Sequence, residues 1–186
     1  MKKIWYAPNK LEAYGEREIK AVEQCLRDGW LAGFGPRSIE FEEKIAKEFG
    51  KKYGVFVNSG SSACLLALAA LDLPKGCKII TPALTFSTTL APIIQLGFIP
   101  IFVDSNLTSY VPTVKAMLDA ITTDTKAIMV PNLIGNKPDF VALKAGLEAL
   151  NRTDIIVIED SADTVTYTEE SDVSTTSFYA SHVITA

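Results

Sequence analysis

Histidine is nearly missing from this chain: His182 is the only one in 186 residues. Cysteine is scarce as well. Cys25, Cys64 and Cys77 are odd in number and show no CxxC spacing, which argues against a Cys/His metal framework or a disulfide scaffold. They read as reduced thiols, and no metal is expected. No apolar run approaches the roughly 20 residues that a membrane helix needs. The start "MKKIWYAPNK" is basic but has no apolar stretch behind it, so a secretory leader is not expected and the cytoplasm is the expected location. Net charge is −4 without any basic run or aromatic-interleaved Lys/Arg stripe. That removes nucleic acid from the expected partners.

What is present is the balance of a soluble globular protein, with 48% hydrophobic and 22% charged residues. The length suits one domain with a sizeable core. No repeat, low-complexity segment or linker divides it. After an extended "IWYAPN", residues 14–29 carry helical periodicity through Ile19, Val22 and Leu26, and "DGW" breaks the helix at Gly29. "GFGPR" is a glycine-rich turn, followed by a second amphipathic helix over about 37–49.

From there strand and helix alternate. The strands are "YGVFVN", "CKIITP", "FIPIFVD", "KAIMVPN" and "DIIVIED", with "DVSTTSFYAS" as one further strand. Helical segments such as "SSACLLALAALDL" and "DFVALKAGLEAL" separate them. Apolar strands alternating with helices predict an α/β fold, a mostly parallel sheet covered on both faces. In open sheets of this kind ligands bind at the carboxyl ends of the strands, so the chemistry is sought there.

"NSGSSA" runs from the first strand into a helix, and Gly60, Ser61 and Ser62 offer amides and hydroxyls as an anion seat. A plain N-cap at Ser59 accounts for the same residues equally well. Phe86 stands just beyond "CKIITP", where it could stack on a planar ligand, although a core or rim aromatic is the commoner use. Gly135 and Asn136 could line a cleft or simply punctuate a helix start. Glu159 and Asp160 follow "DIIVI" directly, so both fall near desolvated positions and need partners. A protonated heterocyclic nitrogen would suit Asp160, and a surface turn is the plainer alternative. The last strand leads to Ser177, Ser181 and His182, an imidazole among hydroxyls.

In order and spacing these segments resemble the DegT/StrS-type family of sugar aminotransferases, fold-type-I enzymes that depend on pyridoxal phosphate. The likeness runs from "YGEREIKAVEQCLRDGWLAGFGPRSIEFEEKIAKEFGKKYGVFVNSGSSA" through "TPALTFSTTLAPIIQLGFIPIFVD", "IGNKPD" and "IEDSAD" to "SFYASH". It implies that residues 1–186 form the cofactor-binding large domain, a three-layer α/β/α unit, without the smaller C-terminal domain that follows in the family. It implies that Gly60 and Ser61 hold the cofactor phosphate through their amides, with Ser177 adding a hydroxyl. Phe86 would stack on the pyridine ring, Asp160 would pair with the protonated ring nitrogen, and Asp163 would stand near the ring hydroxyl where the aminotransferases carry glutamine.

The departure from the aminotransferase pattern is His182, which stands where those enzymes have the cofactor-binding lysine. Imidazole has no primary amine to condense with an aldehyde. "EDSAD" with the histidine resembles the family's deoxysugar 3-dehydratase branch, which holds pyridoxamine phosphate noncovalently and uses histidine as its base. The resemblance therefore implies a pyridoxamine/pyridoxal 5'-phosphate cofactor, a nucleotide-linked 4-keto-6-deoxyhexose substrate and a homodimer. Amino transfer, or an inert fragment that at most binds cofactor, are the alternatives.

Overall fold

The computed structural model describes residues 15–29, 34–179 and 182. Helix α1 (Glu16–Asp28) begins where Glu18 Oε2 accepts from the Gly15 amide at 2.7 Å, and it ends at Gly29 with φ 77°. A glycine takes that left-handed C-cap without steric cost. α1 buries none of its residues. Helix α2 (Pro36–Glu48) opens on a proline, whose missing N–H costs nothing in the first turn. "IWYAPN", most of the turn after Gly29, and Ser181 lie outside the described residues.

The centre is one five-stranded sheet formed by β1 (Lys78–Pro82), β2 (Ile99–Val103), β3 (Thr125–Pro131), β4 (Ile156–Ser161) and β5 (Val173–Thr176). Its order is β2-β1-β3-β4-β5 and every pairing is parallel. Helices α3 (Gly60–Ala69), α4 (Ser87–Gln95), α5 (Val114–Asp119) and α6 (Phe140–Ala149) cover it. Side-chain caps fix three of their starts: Ser59 Oγ accepts from Ser62 N, Thr113 Oγ1 from Ala116 N, and Asp139 Oδ1 from Ala142 N.

The period of two along each strand sorts the apolar residues into two layers. Ile79, Ala127, Met129 and Ile158 pack with Cys64 and Leu68 of α3 and Ile93 of α4. Ile80, Ile128, Val130 and Val157 pack on the other face with Met117 of α5 and Phe140, Leu143 and Leu147 of α6. Each fully buried aliphatic side chain contributes roughly 1.5–3 kcal/mol. The fold is α/β with helices on both faces, as the alternation of segments predicts.

One expected strand is absent. "YGVFVN" pairs with no strand, and Tyr53, Val55 and Phe56 are exposed. Its backbone turns to α2 instead: the Phe56 amide donates to Glu42 Oε1 at 2.7 Å and the Phe56 ring meets Phe41 edge-on. At Gly54 the contact with α2 is so close that a Cβ would fall 2.4 Å from the Glu42 carbonyl oxygen. An apolar run needs a ladder partner to become a strand, and among the described residues none lies beside this one.

Candidate functional site

The two consecutive acids of β4 point to opposite faces of the sheet. Glu159 is wholly buried and accepts from Asn132 Nδ2 at 2.6 Å, Ser174 Oγ at 2.8 Å, Ser171 Oγ at 3.0 Å and Thr168 Oγ1 at 3.1 Å. Lys51 reaches this cluster through Ser171 Oγ at 2.9 Å. Burial pushes the Lys51 ammonium below the usual lysine range, and the Glu159 carboxylate opposes that shift. Glu159 thus ties β3, β4, β5 and the loop before β5 together, a satisfied buried charge with a structural task.

Asp160 faces the other layer, where α3 and α4 pack side by side. Thr89 Oγ1 of α4 donates to Asp160 Oδ2 at 2.7 Å, and the Cys64 thiol of α3 lies 3.5 Å from the same oxygen. The Ala162 amide donates to Oδ1 at 3.2 Å. Burial, and then the neighbouring carboxylate, push the Cys64 thiol up to about 12. A carboxylate offers about four lone-pair directions, so three donors leave Asp160 room for one more. The reading of the sequence missed both Thr89 and Cys64. The only sequence signal is their placement one turn inside the helices that follow "NSG" and "ALTF".

Gly60 and Ser61 form the first turn of α3. Ser59 caps that helix by accepting from Ser62 N at 3.1 Å. The cap consumes the Ser62 amide, while the amides of Gly60 and Ser61 have no partner among the described residues, as expected in a first turn. Gly60 lies against the end of β5: a Cβ there would stand 3.0 Å from Ser177 Cβ. Phe86 is the N-cap residue of α4, with its ring exposed and its carbonyl accepting from Thr89 N at 3.0 Å. Asp163 Oδ2 accepts from the Ile134 amide at 3.1 Å, joining the loops after β4 and β3. His182 stands past β5 with its ring edge-on to Tyr179 at 5.8 Å and its amide donating to Tyr179 O. The structure therefore joins Gly60 to Ser177 and locks Asp160 to α3 and α4. It shows no hydrogen bond from the His182 side chain to any of them.

Among the described residues, five buried side-chain polar atoms lack a partner: Thr81 Oγ1, Thr85 Oγ1, Ser105 Oγ, Asn132 Oδ1 and His182 Nδ1. All five lie at or just beyond the carboxyl end of a strand. Unmet buried polar atoms are rare and costly, and their concentration on one edge marks where a polar ligand would be satisfied. A groove of about 930 Å³ lies elsewhere, between the second half of α2, residues 50–54 and residues 165–167. None of the candidate residues lines it, and none of the unpartnered atoms belongs to a residue that does. Among the described residues no three His, Cys, Asp or Glu side chains converge as a metal site. No described helix is long and apolar enough to cross a membrane.

A parallel sheet with a glycine-started helix, a clamped carboxylate and unmet polar groups at its carboxyl edge belongs to the open α/β class, in which ligands are commonly bound at the strand ends. The particular lineage is equally plain. Over residues 12–186 the chain matches, and belongs to, the DegT/DnrJ/EryC1/StrS aminotransferase family. It is 33% identical to the GDP-4-keto-6-deoxy-D-mannose 3-dehydratase of Escherichia coli O55:H7, over 96% of this chain and 48% of that protein. A structure of a variant GDP-4-keto-6-deoxymannose-3-dehydratase with bound GDP-perosamine superposes with TM-score 0.83 at 31% identity, covering 97% of this chain and 48% of that one. The PLP form of the sugar aminotransferase Spr1654 from Streptococcus pneumoniae gives TM-score 0.86 at 25% identity, covering 99% and 51%. The chain spans about half the length of these relatives.

Proposed function

We propose that the carboxyl edge binds pyridoxamine or pyridoxal 5'-phosphate and serves the 3-dehydration of a nucleotide-linked 4-keto-6-deoxyhexose, with His182 as the base. The observation that carries the reading is the lone histidine after β5, its Nδ1 buried without a partner among the described residues, at the position where the family resemblance expects a lysine. The residues suit the cofactor. Amides at Gly60 and Ser61 without partners among the described residues suit a phosphate at a helix N-terminus, a Cβ at Gly60 would press on Ser177 Cβ at 3.0 Å, and Asp160 retains one acceptor direction.

When bound, the cofactor would supply an amine and a conjugated ring that accepts electrons. Asp160 would hold a proton on the ring nitrogen, its own orientation set by Thr89 and Cys64. Gly60, Ser61 and Ser177 would fix the phosphate, and Phe86 would cover one ring face. His182 would take up a proton at its imidazole and, as imidazolium, return it to a departing hydroxyl. Such general acid–base help is worth roughly 10²–10⁴-fold.

Amino transfer is the second reading, favoured by the superposition on Spr1654. It needs a primary amine, and position 182 offers an imidazole instead. The deciding experiment replaces His182 by lysine and adds pyridoxal phosphate. The lysine should condense with the aldehyde and give a visible absorbance band that the native chain does not give. Folded His182→Lys protein that binds the cofactor yet shows no band would sink the assignment of position 182.

A further inference from the structure

We infer that Asp163 acts on the candidate site as a positioning residue, by holding the backbone of Ile134 in a conformation it would not otherwise keep. This rests on the cofactor reading above. The turn after β3 contains two successive left-handed residues, Ile134 at φ 55°, ψ 31° and Gly135 at φ 81°. Glycine enters that region freely, but a β-branched side chain does so only under constraint. Burial does not supply the constraint, because the Ile134 side chain is 72% exposed.

Hydrogen bonds supply it. Gly135 N donates to Asn132 O at 3.3 Å and Asn136 N to Leu133 O at 3.0 Å, which close the turn on itself. Asn132 is anchored below by Glu159 and Ser161. Among the described residues, the bond that fixes Ile134 itself comes from the loop after β4: its amide donates to Asp163 Oδ2 at 3.1 Å. Strained backbone persists where its surroundings hold it, and such positions cluster at binding sites. Asp163 follows Asp160 by three residues, so the loop that carries the clamped carboxylate also sets the rim formed by residues 133–136. With Oδ2 committed to that amide, the main contribution of Asp163 is the shape of the rim.

The test is a cycle of variants read by pyridoxal 5'-phosphate affinity and by melting temperature without cofactor. Asp163→Ala should weaken affinity about tenfold, the loss of one charge-assisted bond. Asp163→Asn keeps an oxygen acceptor for the Ile134 amide and should stay within about threefold of the native chain. Ile134→Asn, a residue tolerated in the left-handed region, should raise the melting temperature by about 2–4 °C. Placed in Asp163→Ala, it should restore most of both the affinity and the melting temperature.

A double variant as weak as Asp163→Ala would overturn the inference, because Asp163 would then act on the ligand directly. Asp163→Asn failing as badly as Asp163→Ala would overturn it too. Failure of the native chain to bind pyridoxal phosphate would sink the cofactor reading and the positioning role with it. The cofactor-free melting temperatures would still report whether Asp163 holds the turn. Should Asp163→Ala not fold, an unchanged or lowered melting temperature in Ile134→Asn alone would count against the constraint.

Discussion

Thr89→Val removes one hydroxyl from a site that cannot replace it. Thr89 is fully buried and its Oγ1 donates to Asp160 Oδ2 at 2.7 Å. Valine has nearly the same shape and a similar helix propensity, so neither cavity nor helix loss confuses the result. A hydrogen bond to a charged group contributes roughly 1.5–3 kcal/mol. The donors left to Asp160 are a thiol at 3.5 Å and one backbone amide at 3.2 Å, the thiol a weak donor and the amide on the other oxygen. With a urea slope of about 2 kcal/mol per molar, a loss of about 2 kcal/mol lowers the unfolding midpoint by about 1 M. The same variant should bind pyridoxal phosphate more weakly, because the carboxylate is no longer held in one orientation. Asp160→Asn completes a cycle: if Thr89 acts through Asp160, the double variant loses less than the two single losses added. An unchanged midpoint, or strict additivity, would refute the reasoning.

Gly60→Ala should leave stability within about 1 kcal/mol, because better helix propensity opposes the new contact. It should still weaken cofactor binding, since the added Cβ meets Ser177 Cβ at 3.0 Å and pushes β5 from the helix start; titration with pyridoxal phosphate checks this, and unchanged affinity would remove Gly60 from the phosphate seat. Cys64 should make the protein sensitive to alkali. Its thiol is raised from 9.0 to about 12 by burial first and the Asp160 carboxylate second. The folded state therefore keeps a proton that the unfolded chain releases. The associated stability is fully present below about pH 9 and falls by up to ~1.4 kcal/mol per pH unit toward about pH 12. Urea midpoints measured from pH 8.5 to 11 should fall less steeply in Cys64→Ala, and equal slopes would show that the thiol ionises as freely in the folded protein.

The layers of the fold were legible because periodicity and burial report the same fact. "KAIMVPN" and "DIIVIED" are apolar on both faces since helices cover both. "YGVFVN" misled because an apolar run states that a segment seeks burial, not that it finds it, and here Tyr53, Val55 and Phe56 stay exposed beside α2. At the site, the need of Glu159 and Asp160 for partners followed from their place after "DIIVI". Their partners did not follow, because Thr89, Cys64 and Asn132 are separated from them in sequence and joined only by packing. Ser59 shows a different limit. Cap and anion seat looked like competing uses of "NSGSSA", yet the cap takes the Ser62 amide and leaves those of Gly60 and Ser61 free.

The two acids also explain how a single carboxylate is kept in place. A strand sends adjacent side chains to opposite faces, so one dipeptide reaches two separate networks. Glu159 draws four donors from the turn after β3, from β5 and from the loop between β4 and β5. Asp160 draws on α3, α4 and its own following turn. Sliding β4 by one residue would exchange the faces, bringing either Asp160 among the Glu159 hydroxyls with Ser161 between Thr89 and Cys64, or Glu159 between Thr89 and Cys64 with Ile158 among the hydroxyls. Both networks would then break at once, leaving charges buried without donors. The register of β4 is thereby fixed by polar groups at the end of the strand as well as by its apolar core. Fixing the register fixes where the free acceptor of Asp160 points, which is the property a ring-nitrogen partner requires.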